Sequence, residues 1–144
     1  MATERKAEAV WEGDLINGNG TIGAVTSGAF GNLDVTWASR SEAPDGKTSP
    51  EELIAAAWAA CFAMALSNVL AKAGHAPDRL ETSATVTFQP GEGIVKGALA
   101  VRGTVPGLDE AGFLEAAEDA KKNCPVSQAL TGVPEVALDA GLAG

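Results

Sequence analysis

Basic residues are scarce in this 144-residue chain: 10 Lys and Arg stand against 19 Asp and Glu, for a formal net charge of −9. With a pI near 4.5 and no basic stripe, nucleic acid is not an expected partner, because its binding depends on Lys and Arg neutralising phosphates. Anionic membrane surfaces are disfavoured for the same reason, and no lipidation pattern opens or closes the sequence. The N-terminus, MATERKAEAVWEGD, has charges where a signal peptide needs an apolar core, so the expected location is the cytoplasm. The one long apolar run, Leu53 to Leu66, falls short of the ~20 residues that span a bilayer and suits a buried core helix.

Metal and hydrolase chemistries lack their parts. The chain has two cysteines and one histidine, with neither CxxC nor HxxxH, so no metal site is expected. His75, in Gly-His-Ala-Pro, reads as a surface loop residue, and no serine sits in a nucleophile elbow. The GNGTIG stretch before Ala24 is not followed by alternating parallel units, which argues against a nucleotide site. There is no internal repeat, low-complexity tract or linker, and residues 1–144 read as a single globular domain.

Within it, turn chemistry and period place strands near Ala7–Gly13, Thr21–Ser27 and Leu33–Ala38, and a loop over Ser41–Ser49. Thr48-Ser49-Pro50-Glu51-Glu52 then carries a capping hydroxyl, a first-turn proline and two acids facing the helix dipole, which predicts a helix to about Ala73, stopped by Gly74. From Leu80 the period becomes two, with a returning strand over Ile94–Val105. Asp109–Asn123 is an amphipathic helix, with Phe113, Leu114, Ala117 and Ala120 on its apolar side. A short helix follows from Cys124-Pro125 to about Leu130, and a last strand over Val133–Leu138. The order is α+β.

The two thiols carry the strongest chemical signal, since sulfur combines nucleophilicity with reversible two-electron oxidation. In a reducing cytoplasm such a pair is reactive or buried rather than a structural disulfide; the bland alternative is two small core hydrophobes. Pro125 puts Cys124 at a helix N-cap, where unpaired N–H groups favour thiolate. Cys61 lies among alanines in mid-helix, where desolvation opposes it. Cys61 therefore needs a cation. Among Arg40, Lys47, Lys121, Lys122 and His75, the permanently charged, forked Arg40 is the preferred one, a solvated loop arginine being the alternative. Glu52 reads as a helix-start acid. Glu51 reads the same way, but it also stands a rise of roughly 15 Å from Cys61 on an unbroken helix. A network joining Arg40, Glu51 and Cys61 then requires a broken helix or two subunits. Phe62, Met64, Leu66, Val126 and Leu130, beside the thiols, read first as core.

Ser49-Pro50-Glu51-Glu52-Leu53 through Ala59-Ala60-Cys61-Phe62, followed by Asn123-Cys124-Pro125-Val126-Ser127, resembles the OsmC/Ohr family of thiol peroxidases. Val10-Trp11-Glu12-Gly13-Asp14 and Val105-Pro106-Gly107-Leu108-Asp109 extend the resemblance over essentially the whole chain. It implies the OsmC-like fold, with antiparallel sheets wrapped around central buried helices in an intertwined homodimer. It also implies reduction of organic (alkyl or lipid) hydroperoxides by a thiol reductant, such as a lipoylated dithiol protein, in oxidative or osmotic stress, with no metal, flavin or other cofactor. By the same resemblance Cys61 is the peroxidatic cysteine and Cys124 the resolving one, Arg40 matches the arginine of the OsmC branch, and Glu51 the acid that holds it. This reverses the local preference for Cys124 as first attacker. The chain departs from the pattern at Trp58, where the family usually has histidine or tyrosine, and an indole there is expected to reshape the substrate entrance. The rival expectations are a redox sensor or small-molecule binding module on the same fold, and a structural protein with inert cysteines.

Overall fold

Local chemistry sets both ends of the longest helix. Ser49 Oγ accepts the Glu52 N–H at 3.1 Å, and the Thr48 hydroxyl donates to Glu52 Oε1 at 2.8 Å, so the start motif caps as expected. At the far end Gly74 takes φ +87°, the His75 N–H reaches the Leu70 carbonyl at 2.9 Å and the Gly74 N–H reaches Ala71 at 3.0 Å. This pair of bonds is a Schellman stop.

The computed structural model describes all 144 residues. Its elements run β1 (Ala7–Glu12), β2 (Asn19–Val25), β3 (Leu33–Val35), α1 (Trp37–Ser41), α2 (Pro50–Lys72), β4 (Arg79–Gln89), β5 (Gly93–Thr104), α3 (Glu110–Asn123), α4 (Pro125–Ala129) and β6 (Glu135–Leu142). The class is α+β, as the element order predicts. Contacts divide the chain into two units, Met1–Leu53 and Ile54–Gly144.

In the first unit β1, β2 and β3 form an antiparallel sheet in chain order. Gly20 is required there, because a Cβ would lie 2.6 Å from the Trp11 ring. The strand expected over Leu33–Ala38 ends early, and α1 replaces its second half. Thr36 Oγ1 accepts the Ser39 N–H at 3.0 Å while Ser39 Oγ accepts the Thr36 N–H at 2.9 Å. This is a capping box in which serine stands where glutamate or glutamine is usual. The only buried residues of the unit are Gly20, Ser39 and Glu51, while Val10, Trp11, Leu15, Ile16 and Phe30 are exposed.

The second unit holds the core. β4 and β5 are an antiparallel hairpin turned through Gly91 and Gly93, both at positive φ. The sheet is not wholly antiparallel: β6 lies beside β5 and parallel to it, because α3 and α4 form the crossover that parallel strands need. One row of α2 at i, i+4 spacing, Trp58, Phe62, Leu66 and Leu70, is buried with Leu99, Val101 and Val105, with Phe113, Ala117 and Ala120 of α3, and with Cys124. Two residues expected on apolar faces are exposed instead: Met64 at 74% and Leu114 at 46%. By length and composition α2 would also pass as a membrane span, a test that the core helix of a globular protein meets equally.

Gly97 in β5 is where the helix row meets the sheet most closely. A Cβ there would come within 2.4 Å of the Trp58 ring. Gly97→Ala is therefore expected to overpack the core and cost about 1–3 kcal/mol, seen as a lower midpoint in urea denaturation. An unchanged midpoint would contradict this packing.

Candidate functional site

The crossover delivers Cys124 to α2. Cys124 ends α3, its N–H bonded to the Ala120 carbonyl, and it is at the same time the N-cap of α4, with Pro125 at the first helical position as its sequence predicts. Its sulfur lies 2.9 Å from that of Cys61, and both cysteines are free thiols. Disulfide formation, which brings the sulfurs to about 2.05 Å, requires little more than side-chain movement. The two differ in access: Cys124 is fully buried, whereas Cys61 is half-buried on the flank of the α2 row.

They also differ in acidity. Burial pushes the Cys61 thiol up, and its hydrogen bond with Cys124 pushes it further, opposed by the Val126 N–H. Burial raises Cys124 too, but its hydrogen bonding with Cys61 and the polar groups of Ser127 and Val126 together lower it below the ordinary thiol value. Of the two, Cys124 is the more acidic thiol. Cys124 is the N-cap of α4 by position, but its side chain makes no capping bond. No cation is among the groups acting on Cys61.

Arg40 and Glu51 meet in the first unit, through a forked pair. Arg40 Nε donates to Glu51 Oε1 at 3.0 Å and Oε2 at 3.3 Å, and a terminal nitrogen donates to Oε2 at 2.9 Å. Glu51 is only 6% exposed, so the guanidinium is what satisfies its charge. α1 aims the arginine: its Ser39 hydroxyl bonds the Thr48 carbonyl at 3.0 Å, tying the short helix to the start of α2. The T-x-x-S cap was the available signal for α1. Arg40 also lines an apolar cleft of ≈ 550 Å³ walled by Val10, Trp11, Leu15, Ile22, Trp37 and Leu53.

Trp58, expected at the substrate entrance, lines a cleft of ≈ 560 Å³ with Ser127 and Val136. It lies on the buried row, 1% exposed, and its Nε1–H donates to Ser127 Oγ at 2.8 Å. Ser127 was visible in the Cys-Pro-Val-Ser run but carried no assigned role, since a bond across 69 positions leaves no trace in local pattern. His75 is a half-buried loop residue whose ring nitrogen lies 3.4 Å from the Pro106 carbonyl.

The family model described as OsmC-like protein matches residues 43–139. The chain is 42% identical over 142 residues to Peroxiredoxin OsmC of Escherichia coli strain K12, covering 96% of each chain. It is 35% identical over 97 residues to an organic hydroperoxide resistance protein of Xanthomonas axonopodis pv. citri, covering 63% of this chain and 65% of that one. Among solved structures, an organic hydroperoxide resistance protein from Elizabethkingia anophelis superposes with a TM-score of 0.72 at 25% identity, covering 99% of this chain and 100% of that one. The likeness extends through both cysteine segments and nearly the full length of the sequence, and the chain belongs to the OsmC-like family.

Proposed function

We propose that this protein is a cysteine-dependent peroxidase that reduces organic hydroperoxides, with Cys61 as the attacking thiol and Cys124 as the resolving one. The observation that carries the reading is the pair of free sulfurs 2.9 Å apart, one reachable and one buried. The relatives' names, peroxiredoxin and organic hydroperoxide resistance protein, support it.

Access decides what acidity alone would reverse. Cys124 holds the lower pKa but no surface, so a peroxide meets Cys61 first. The Cys61 thiolate attacks the O–O bond; its sulfur takes the terminal oxygen as sulfenic acid, and the alkoxide leaves as alcohol with one proton. The Cys124 thiolate then displaces the sulfenic oxygen, which departs as water with a proton, and the disulfide closes. A dithiol reductant opens the disulfide and is itself oxidised. The reading places this cycle in the cytoplasm, where such a reductant keeps thiols reduced, as a response to oxidative or osmotic stress.

Cys61 still needs a cation, and Arg40, held by Glu51, fills that role in this reading. Because α2 runs unbroken through both positions, the roughly 15 Å rise from Glu51 to Cys61 favours an arginine supplied by a second copy. Two further observations support a homodimer: the first unit has no apolar core of its own, and α2 leaves Ala56, Ala60 and Met64 exposed opposite its buried row. The apolar cleft beside Arg40 suits an alkyl or lipid chain better than hydrogen peroxide.

Cys61→Ser is expected to abolish peroxide consumption, while Cys124→Ser reacts once and leaves a trappable sulfenic acid on Cys61. Mass spectrometry after one equivalent of an alkyl hydroperoxide reads both, and full turnover by the Cys61 variant would overturn the roles. A sensor on the same fold would oxidise once and stop even with excess dithiol.

Arg40→Ala is expected to raise the Cys61 thiolate pKa and slow its oxidation about 10²-fold, the loss of a charge-assisted bond of about 1.5–3 kcal/mol. The pH profile of Cys61 alkylation measures it, and an unmoved profile removes Arg40 from the site.

Refolding Arg40→Ala and Cys61→Ser protomers together is expected to restore one intact site per dimer. No recovered activity would confine Arg40 to its own chain, and a monomer by light scattering at micromolar concentration would remove the dimer.

A further inference from the structure

Trp11 is a large apolar side chain left 42% exposed, yet it is held from two directions. Its indole N–H is shared between the Gly13 carbonyl at 3.1 Å and the Asp14 carbonyl at 3.3 Å. Its ring lies across Gly20, its partner in the β1–β2 register, where a Cβ would come within 2.6 Å of a ring carbon. At Gly18, two positions away and so on the same face, a Cβ would come to 3.0 Å from the indole nitrogen. The turn between the strands is bonded as well: the Gly18 N–H reaches the Asp14 carbonyl at 2.9 Å, and the Asn17 N–H reaches Asp14 Oδ1 at 2.7 Å. A tryptophan that only met water would keep its side-chain freedom. This one has given it up before any ligand arrives, which is the condition of a preorganised binding wall.

Trp11 lines the cleft of ≈ 550 Å³ in the Met1–Leu53 unit with Leu15, Ile22, Trp37 and Leu53, and Arg40 is the one charged residue of that lining. The volume is that of a small-ligand pocket. Although forked onto Glu51, Arg40 keeps 32% of its side-chain surface open.

We propose that Trp11 is a specificity-determining residue: its fixed ring is the wall along which the carbon chain of the hydroperoxide lies, so that long linear hydroperoxides react faster than short ones. The proposal rests on the reading in which Arg40 meets the peroxide and Cys61 attacks it. A substrate with its O–O group at the guanidinium has to place its carbon chain on the surface next to Arg40, and that surface is apolar. Each methylene that leaves water for this wall favours binding by up to about fourfold. A second copy of the chain is the rival occupant. The open guanidinium favours the substrate, because a subunit packed into the cleft would close off the one charged group that the peroxide is to reach.

The test measures the rate constant for Cys61 oxidation by butyl and by decyl hydroperoxide, and reads their ratio within each protein so that overall activity cancels. Decyl hydroperoxide is expected to react at least about tenfold faster than butyl hydroperoxide with the unmutated protein, and Trp11→Ala is expected to remove about tenfold from that ratio. Trp11→Phe keeps a ring but loses the N–H that fixes it, and is expected to fall between. A ratio unmoved by Trp11→Ala overturns the proposal. So does dissociation of Trp11→Ala protein to monomers in light scattering, which would give the cleft to the second copy. Should the alanine variant fail to fold, decanol is titrated into the unmutated, reduced protein and the indole N–H resonance of Trp11 is followed. It is expected to shift and saturate with decanol and to stay still with equal butanol, and a flat response to decanol overturns the proposal. The titration uses no peroxide, so a failure of the peroxidase reading is seen separately, as a Cys61 that neither hydroperoxide oxidises.

Discussion

One row of side chains on α2 holds the chemistry in place. Trp58, Phe62, Leu66 and Leu70 recur at i, i+4 and are sealed against the β4–β5–β6 sheet and α3. Burying four such side chains contributes several kcal/mol, at roughly 1.5–3 each, and it fixes the rotation of the helix about its axis. That rotation places Cys61 on the flank of the row, half in and half out. A helix turned by one position would bury Cys61 and lift Trp58 away from Gly97 and Ser127. The hydroxyl of Thr82 adds a polar pin, donating to the Ala59 carbonyl at 2.9 Å from β4.

Acidity and access are divided between the two thiols. The buried Cys124 is the more acidic but is closed off; the half-buried Cys61 is reachable but its thiol is pushed up. A single cysteine in either setting would be a poor peroxide reductant. Together, 2.9 Å apart, they join a reachable sulfur to a buried, more acidic one, the division of labour the proposed cycle uses. In the proposed cycle the positive charge that Cys61 needs comes from the forked, Glu51-bound guanidinium of Arg40.

Much of this was legible where the signal was local. Ser49, Pro50 and Gly74 mark the ends of α2 through bonds that reach only a few residues. The alternation from Leu80 to Phe88 is the half-buried face of β4. Asp109 caps α3 through the Gly112 N–H at 2.8 Å. The extended reading of Leu33–Ala38 failed at Thr36, because β-branched and aromatic residues resemble a strand and the capping box uses Ser39 in place of the usual acid. Met64 was misplaced for a different reason: a helix apolar on every side has no polar face to show which side is turned inward. The partnership of the cysteines, and of Trp58 with Ser127, spans more than sixty positions, so spacing does not encode it. Resemblance supplied the first, and only the fold supplied the second.

The parallel pairing of β6 with β5 has a consequence for the order in which the protein is built. Cys124 sits in the connection between these strands, which is anchored downstream only when Glu135 to Leu142 lies in register with Lys96 to Gly103. A growing chain exposes Cys61 long before that register can form, and long-range strand pairing is among the slower events of folding. Until the last strand arrives, the two sulfurs have no shared geometry, and Cys61 is an ordinary lone thiol with no neighbour to trap its oxidised form. Alignment of the two sulfurs therefore waits on the pairing of β6 with β5.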